Sequence, residues 1–134
     1  MPKKELTIQE IVKADCKRYG FDFDQIYTGL HALIQSGGTR VLRHHNTLLV
    51  YHIKGEGNAD IHLVTADNPY ALVSALKQFV VAMKKAGFHT ATTSTIDPNM
   101  LRMLKVAQVP FTATQEPQSF EGKNAIKYNL TIRI

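Results

Sequence analysis

Apolar residues recur at helical spacing in the first quarter of the chain, at strand spacing in the next quarter, and in alternating blocks after that. Ile8, Ile11, Val12, Cys16 and Tyr19 fall on one helical face. The tetrapeptide "TIQE" in front of them predicts a capping box, with Thr7 as N-cap and Glu10 at the third helical position, and Gly20 is a natural stop. A second helix is predicted from Asp22 or Asp24, with Ile26, Tyr27, Leu30, Leu33 and Ile34 as its buried stripe and Gly37-Gly38 at its end. The period then shortens to that of strands. "TRVLRHH" and "TLLVYHIK" predict two strands joined at about His45-Asn46; "GEGN" predicts a second turn and "ADIHLVTA" a third strand.

The segment from His62 to Gly87 joins that third strand to a long helix. Asn68 is a good N-cap, Pro69 suits the first helical position, and Gly87 ends the helix. Leu72, Val73, Leu76, Phe79, Val80 and Met83 make its apolar face, over a predicted helix of residues 69–86. "FHTATTS" is a Thr-rich strand, Asp97-Pro98 starts a shorter helix that runs to Gln108, and "VPFTAT" is a short strand. The polar run "QEPQSFEGKN" predicts a loop, and "AIKYNLTIRI" alternates as a last strand with Ile126, Tyr128, Leu130, Ile132 and Ile134 on one face. The predicted order is α-α-β-β-β-α-β-α-β-β, a mixed α/β sheet with helices on both faces. The strand before the long helix and the strand after it should lie side by side and parallel through a right-handed crossover.

Composition narrows the class. A length of 134 residues suggests one domain spanning 1–134, and 44% apolar with 20% charged residues is ordinary for a globular protein. No apolar run approaches the ~20 residues that span a bilayer, so no membrane partner is expected. The start "MPKKELTIQE" carries no apolar run of the kind a secretory signal needs. The single Cys16 excludes an internal disulfide and fits a reducing compartment, as a buried thiol on the first helix. The net charge of +5 comes from scattered basic residues. It supports weak, sequence-independent attraction to nucleic acid, and no aromatic-and-basic strand is present to read RNA.

The order of elements resembles the GNAT N-acetyltransferase superfamily without its usual first strand, from Thr7 to Ile134. In that family a strand delivers the diphosphate of acetyl-CoA to the N-terminus of a long helix, here the one at Pro69, where free backbone N–H groups and a partial positive charge meet the anion. The family's loop there is Gln/Arg-x-x-Gly-x-Gly/Ala; this sequence has "TADNPYALV", with neither glycine. Pro69 removes a donor and Asp67 adds a negative charge. The family's second signature, an Asn near the start of the short helix and a protonating Tyr seven residues later, places Asn99 on the Asn and Val106 on the Tyr, and Pro110 stands where a Gly precedes Phe111.

These departures resemble those of small bacteriophage-encoded GNAT-like proteins without the CoA loop. The resemblance implies a non-catalytic GNAT-like module acting through contacts with other proteins, such as virion components, in the cytoplasm or within a phage particle and with no cofactor. The alternative it implies is an acetyl-CoA-dependent N-acetyltransferase with a divergent loop. In that case Glu56, Asp60 and His62 are the candidate bases, and Ala66, Asn68, Tyr70 and Ala71 the candidate cofactor-binding residues. His52 and His62, flanking "KGEGNAD", are expected as cross-strand neighbours; the six histidines show no metal-ligand spacing, and no P-loop or dinucleotide fingerprint is present.

Overall fold

The computed structural model describes residues 5–120 and 123–134. Four helices, α1 (Ile8–Tyr19), α2 (Phe23–Gln35), α3 (Pro69–Lys85) and α4 (Pro98–Val106), flank six strands, β1 (Thr39–His44), β2 (Thr47–Gly55), β3 (Asn58–Thr65), β4 (Thr90–Thr95), β5 (Phe111–Phe120) and β6 (Lys123–Arg133). The helix starts follow local chemistry. Thr7 and Glu10 form the reciprocal capping box, at 3.1 and 3.0 Å. Asn68 caps α3 by accepting from Ala71 N at 2.9 Å, and Asp97 caps α4 by accepting from Asn99 N at 2.9 Å; a proline follows each cap. Gly20, at φ 74°, ends α1 in the left-handed conformation that favours glycine.

The sheet runs β1-β2-β3-β4-β6-β5, with β3 and β4 parallel and every other pairing antiparallel. The two strands joined by α3 are thus the expected parallel pair at the centre. Successive residues of a strand face opposite sides, and both sides are covered. Leu48 packs with Ile11, Val12 and Cys16 of α1. Leu49, Tyr51 and Ala59 pack with Ala75, Phe79 and Met83 of α3 on the other face. Leu72 and Leu76 extend that second layer to Leu104, Leu130 and Ile132. Among the described residues no helix is long and apolar enough to cross a membrane.

Three expectations change. The run from Gln115 to Asn124, expected as a loop, is mostly strand: β5 reaches Phe120 and β6 begins at Lys123, while Glu121 and Gly122 lie outside the described residues. Pro117 is tolerated because β5 is the sheet edge, where an absent N–H breaks no second ladder. Only Tyr128 to Arg133 of β6 pairs with β4, so the far half of the hairpin projects past the sheet and leaves Ile126 half exposed. The stripe of α2 was expected to be buried, yet none of its residues is; a cavity lies beneath it. His52 and His62 are not cross-strand partners, since His52 stands opposite Asp60 and His62 opposite Val50.

Candidate functional site

The pairing of β3 with β4 is short. It joins Asn58 to Thr90, Ala59 to Ala91 and Asp60 to Thr92, and there it stops, although β3 runs on to Thr65 and β4 to Thr95. From Asp60 and Thr92 onward the two strands diverge, β3 staying with β2 and β4 with β6. The sheet is split along its middle, and the mouth of the split lies on the side where β3 turns into α3.

A cavity of about 630 Å³ occupies the split. Its walls come from β3 (Ile61 to Val64), β4 and the residues after it (Thr93 to Ile96), α3 (Leu76, Phe79) and the first two helices. A smaller polar cavity of about 260 Å³ adjoins its inner end, lined by Asp60, His62, Thr92, Thr93, Ser94 and Asn129. His62 borders both. In strand alternation Asp60 and His62 share the face covered by α1 and α2.

Two of the three candidate bases therefore meet at the inner end of the split. Asp60 accepts from Thr92 Oγ1 and lies 3.4 Å from Lys54 Nζ. The Thr92 bond, helped by Lys54 and His62, holds its carboxyl below the ordinary value of 3.8 and so makes it a weak proton acceptor. His62 is exposed to both cavities, and an imidazole is the side chain best matched to proton transfer at neutral pH. Glu56 lies apart, exposed in the β2–β3 turn. Among the described residues no group of His, Cys, Asp and Glu stands close enough to hold a metal ion.

At the mouth, the candidate cofactor-binding residues have mostly committed their donors. Ala66 N donates to Asn46 O, Ala71 N to Asn68 Oδ1 and Leu72 N to the Asn68 carbonyl. Pro69 has no N–H, so Tyr70 N is the first-turn donor of α3 left facing outward, with its side chain 90% exposed. Asp67 proves to have a role that the sequence did not show. Its side chain is 1% exposed and turned away from the mouth, where Asp67 Oδ2 accepts from Asn46 N at 3.1 Å and from Thr47 Oγ1 at 2.6 Å, and Oδ1 bonds His45 Nδ1. The charge that should repel a diphosphate is spent on the β1–β2 turn instead.

Two further residues of the split come from α1. Asp15 Oδ1 accepts from Thr65 N at 3.2 Å, satisfying a β3 amide that the divergence of β4 leaves without a strand partner. Burial pushes the Asp15 carboxyl above 3.8, against the opposing pull of that bond and of Arg18. One turn later Tyr19 donates to Asp97 Oδ2 at 3.0 Å, and burial together with the charge of Asp97 pushes its hydroxyl up to about 12. A signal for both was present: Asp15 and Tyr19 share the helical face of Ile11, Val12 and Cys16, where a lone carboxyl needs a partner. Because the pKa of Asp15 is raised on folding, its contribution to stability is full below 3.8 and is lost as pH rises through the folded value. Asp15→Asn keeps an acceptor for Thr65 N and does not ionise. It should gain in melting temperature relative to the parent as pH rises from 4 to 7; a variant that loses ground over that range would mean that the charged hydrogen bond outweighs burial.

No protein-family model matches the chain, and no curated protein matches it. Solved structures do. A spermidine N-acetyltransferase SpeG chimera from Vibrio cholerae and hSSAT superposes with a TM-score of 0.68 at 11% identity, over 94% of this chain and 86% of that one. A probable acetyltransferase (GNAT family) from Chromobacterium violaceum gives 0.62 at 12% identity, over 84% and 68%. The yncA protein of Salmonella typhimurium, solved with its cofactor acetyl-CoA, gives 0.59 at 15%, over 84% and 73%.

The fold is that of the GNAT acetyltransferases. At these identities the likeness concerns the backbone, and the side chains of this GNAT-like cleft are its own. Val106, where the sequence resemblance expects a protonating Tyr, is 65% exposed on α4 and lines neither cavity.

Proposed function

We propose that the protein is an acetyl-CoA-dependent N-acetyltransferase with a divergent diphosphate corner. The observation that carries this reading is the split between β3 and β4, which leaves a wedge wide enough for an extended thioester arm, with an imidazole at its inner end. The wedge fits such an arm: the β3 backbone from Ile61 to Val64 lines it without a strand partner on that side, while the Thr65 N–H is taken by Asp15. The corner fits a diphosphate less well, with Tyr70 N as its donor.

When bound, acetyl-CoA would supply an acyl thioester whose acyl carbon passes to an amine nitrogen, the sulfur leaving as the thiol. His62 would accept the proton that the amine must lose. Asp60, held ionised by Thr92 and Lys54, would favour the imidazolium so formed. Tyr19 is the phenol lining the cavity, and it keeps its proton to about pH 12. Its one O–H is already given to Asp97, so the proton for the departing sulfur would come from the imidazolium of His62. Asp97, which receives the Tyr19 hydrogen bond, would hold that phenol in place.

Calorimetry with acetyl-CoA tests the reading. One backbone donor in place of several should give a dissociation constant between about 10 μM and 1 mM. No heat at millimolar ligand would overturn it. The second reading is a non-catalytic module that acts through other proteins, such as components of a phage particle. It is favoured by the reduced corner and by α1, whose Asp15 and Tyr19 tie the two sides of the split. That reading predicts no acetyl-CoA heat and no thiol release with any amine.

A further inference from the structure

We propose that the chamber beneath α2 takes an acceptor whose single primary amine is carried on an apolar body, and disfavours a polycation. The proposal rests on the transferase reading and names its acceptor.

Helix α2 is built to be buried and is not. Ile26, Leu30 and Leu33 line the cavity, yet Ile26 is 42% and Leu33 50% exposed, and no residue of the helix is buried. On the opposite wall, Val12, Val50 and Val64 continue the apolar lining from α1 and the sheet. Gly29 lies in the same wall, in the middle of α2. A Cβ added there would meet nothing within 4 Å. A mid-helix glycine weakens a helix relative to alanine, and no neighbour here requires it. Its missing side chain leaves that stretch of the wall open. The cavity of about 630 Å³ also takes the thioester arm at the split, so the acceptor occupies only the part of it under α2.

The polar groups set the orientation. His62 opens into both cavities, so an amine nitrogen placed at His62 leaves the rest of the molecule under α2. Among the described residues Asp15 is the one carboxylate lining the larger cavity, and it already holds Thr65 N and resists ionisation. Asp60, in the smaller one, is engaged with Thr92 and Lys54. A second or third ammonium would enter an apolar chamber without a free anion to meet it.

The test is an NMR titration of the whole chain with 2-phenylethylamine and with spermidine, repeated on Gly29→Leu and Leu33→Gln. The parent should bind 2-phenylethylamine at least about tenfold tighter than spermidine, with shifts at α2 and His62. Gly29→Leu should melt no lower than the parent, because leucine is the better helix former and the space is open, and should weaken the amine at least about tenfold. Leu33→Gln, at a half-exposed site, should weaken it severalfold and keeps the test alive if Gly29→Leu does not fold. Equal or tighter spermidine binding, or an unchanged affinity in the folded variants, would overturn the proposal. The amine titration needs no acetyl-CoA, so absence of acetyl-CoA heat counts against the transferase reading alone.

Discussion

His62→Gln is expected to lower kcat/KM for acetyl transfer by about 10²- to 10⁴-fold, the usual contribution of a general base. The loss should fall on kcat, with acetyl-CoA affinity little changed, because His62 lies at the inner end of the split and the free donor of α3 at its mouth. Asp60→Asn serves as the internal comparison. Its carboxyl sits in the same polar cavity but is held below 3.8 by Thr92, with Lys54 assisting, so it is the weaker base. Its loss should be smaller. If Asp60→Asn removed activity and His62→Gln did not, the roles given to the two side chains would be reversed.

Asp67→Ala should destabilise the protein by about 2–4 kcal/mol, because the buried Asn46 N loses its acceptor and Thr47 Oγ1 loses one of its two partners. The carboxyl is 1% exposed and joins the β1–β2 turn to the start of α3. Without it, the buried Asn46 N is left unsatisfied and carries the cost of its desolvation, while Thr47 Oγ1 keeps its bond to Thr65 Oγ1 and the part-exposed His45 ring can reach water. His45 adopts a positive φ of 54°, a backbone conformation that the Asp67 bond helps to hold. Asp67→Asn keeps one acceptor oxygen and should lose less. Urea unfolding measures both. Acetyl-CoA affinity should not tighten in Asp67→Asn, since the charge removed is buried away from the mouth. A loss under ~0.5 kcal/mol together with tighter acetyl-CoA binding would show instead that Asp67 acts as an electrostatic filter against phosphate.

Asp67 shows where reading the sequence stops. Its neighbours, Asn68 as cap and Pro69 at the first helical position, are legible because a cap acts within three residues. Its partners are His45, Asn46 and Thr47, some twenty residues away, and no spacing rule brings them together. A charge that looks adverse beside a helix start becomes neutral once those partners are known. Val106 is the contrary case. The valine at the position expected for a phenol is visible in the sequence, whereas the place of Tyr19 on the cavity wall, with its bond to Asp97, follows only from how α1 packs on the sheet.

What the sequence by itself determined is the order and kind of the elements, because periodicity, caps and glycine stops act over a few residues. The capping box at Thr7, the Asn68-Pro69 and Asp97-Pro98 starts and the Gly20 stop mark helix ends that the structure keeps. The parallel pairing of β3 with β4 was also legible, since a strand-helix-strand unit has one favoured hand. Tertiary structure alone decided that this pairing ends at Asp60 and Thr92, that α2 stands over a cavity, and that a polar run containing Pro117 is an edge strand. Each depends on what packs against a segment from far along the chain. Thr93 and Thr95 would suit a longer ladder as well as Thr92 does, yet beyond Asp60 and Thr92 β3 pairs with β2 alone and β4 with β6 alone.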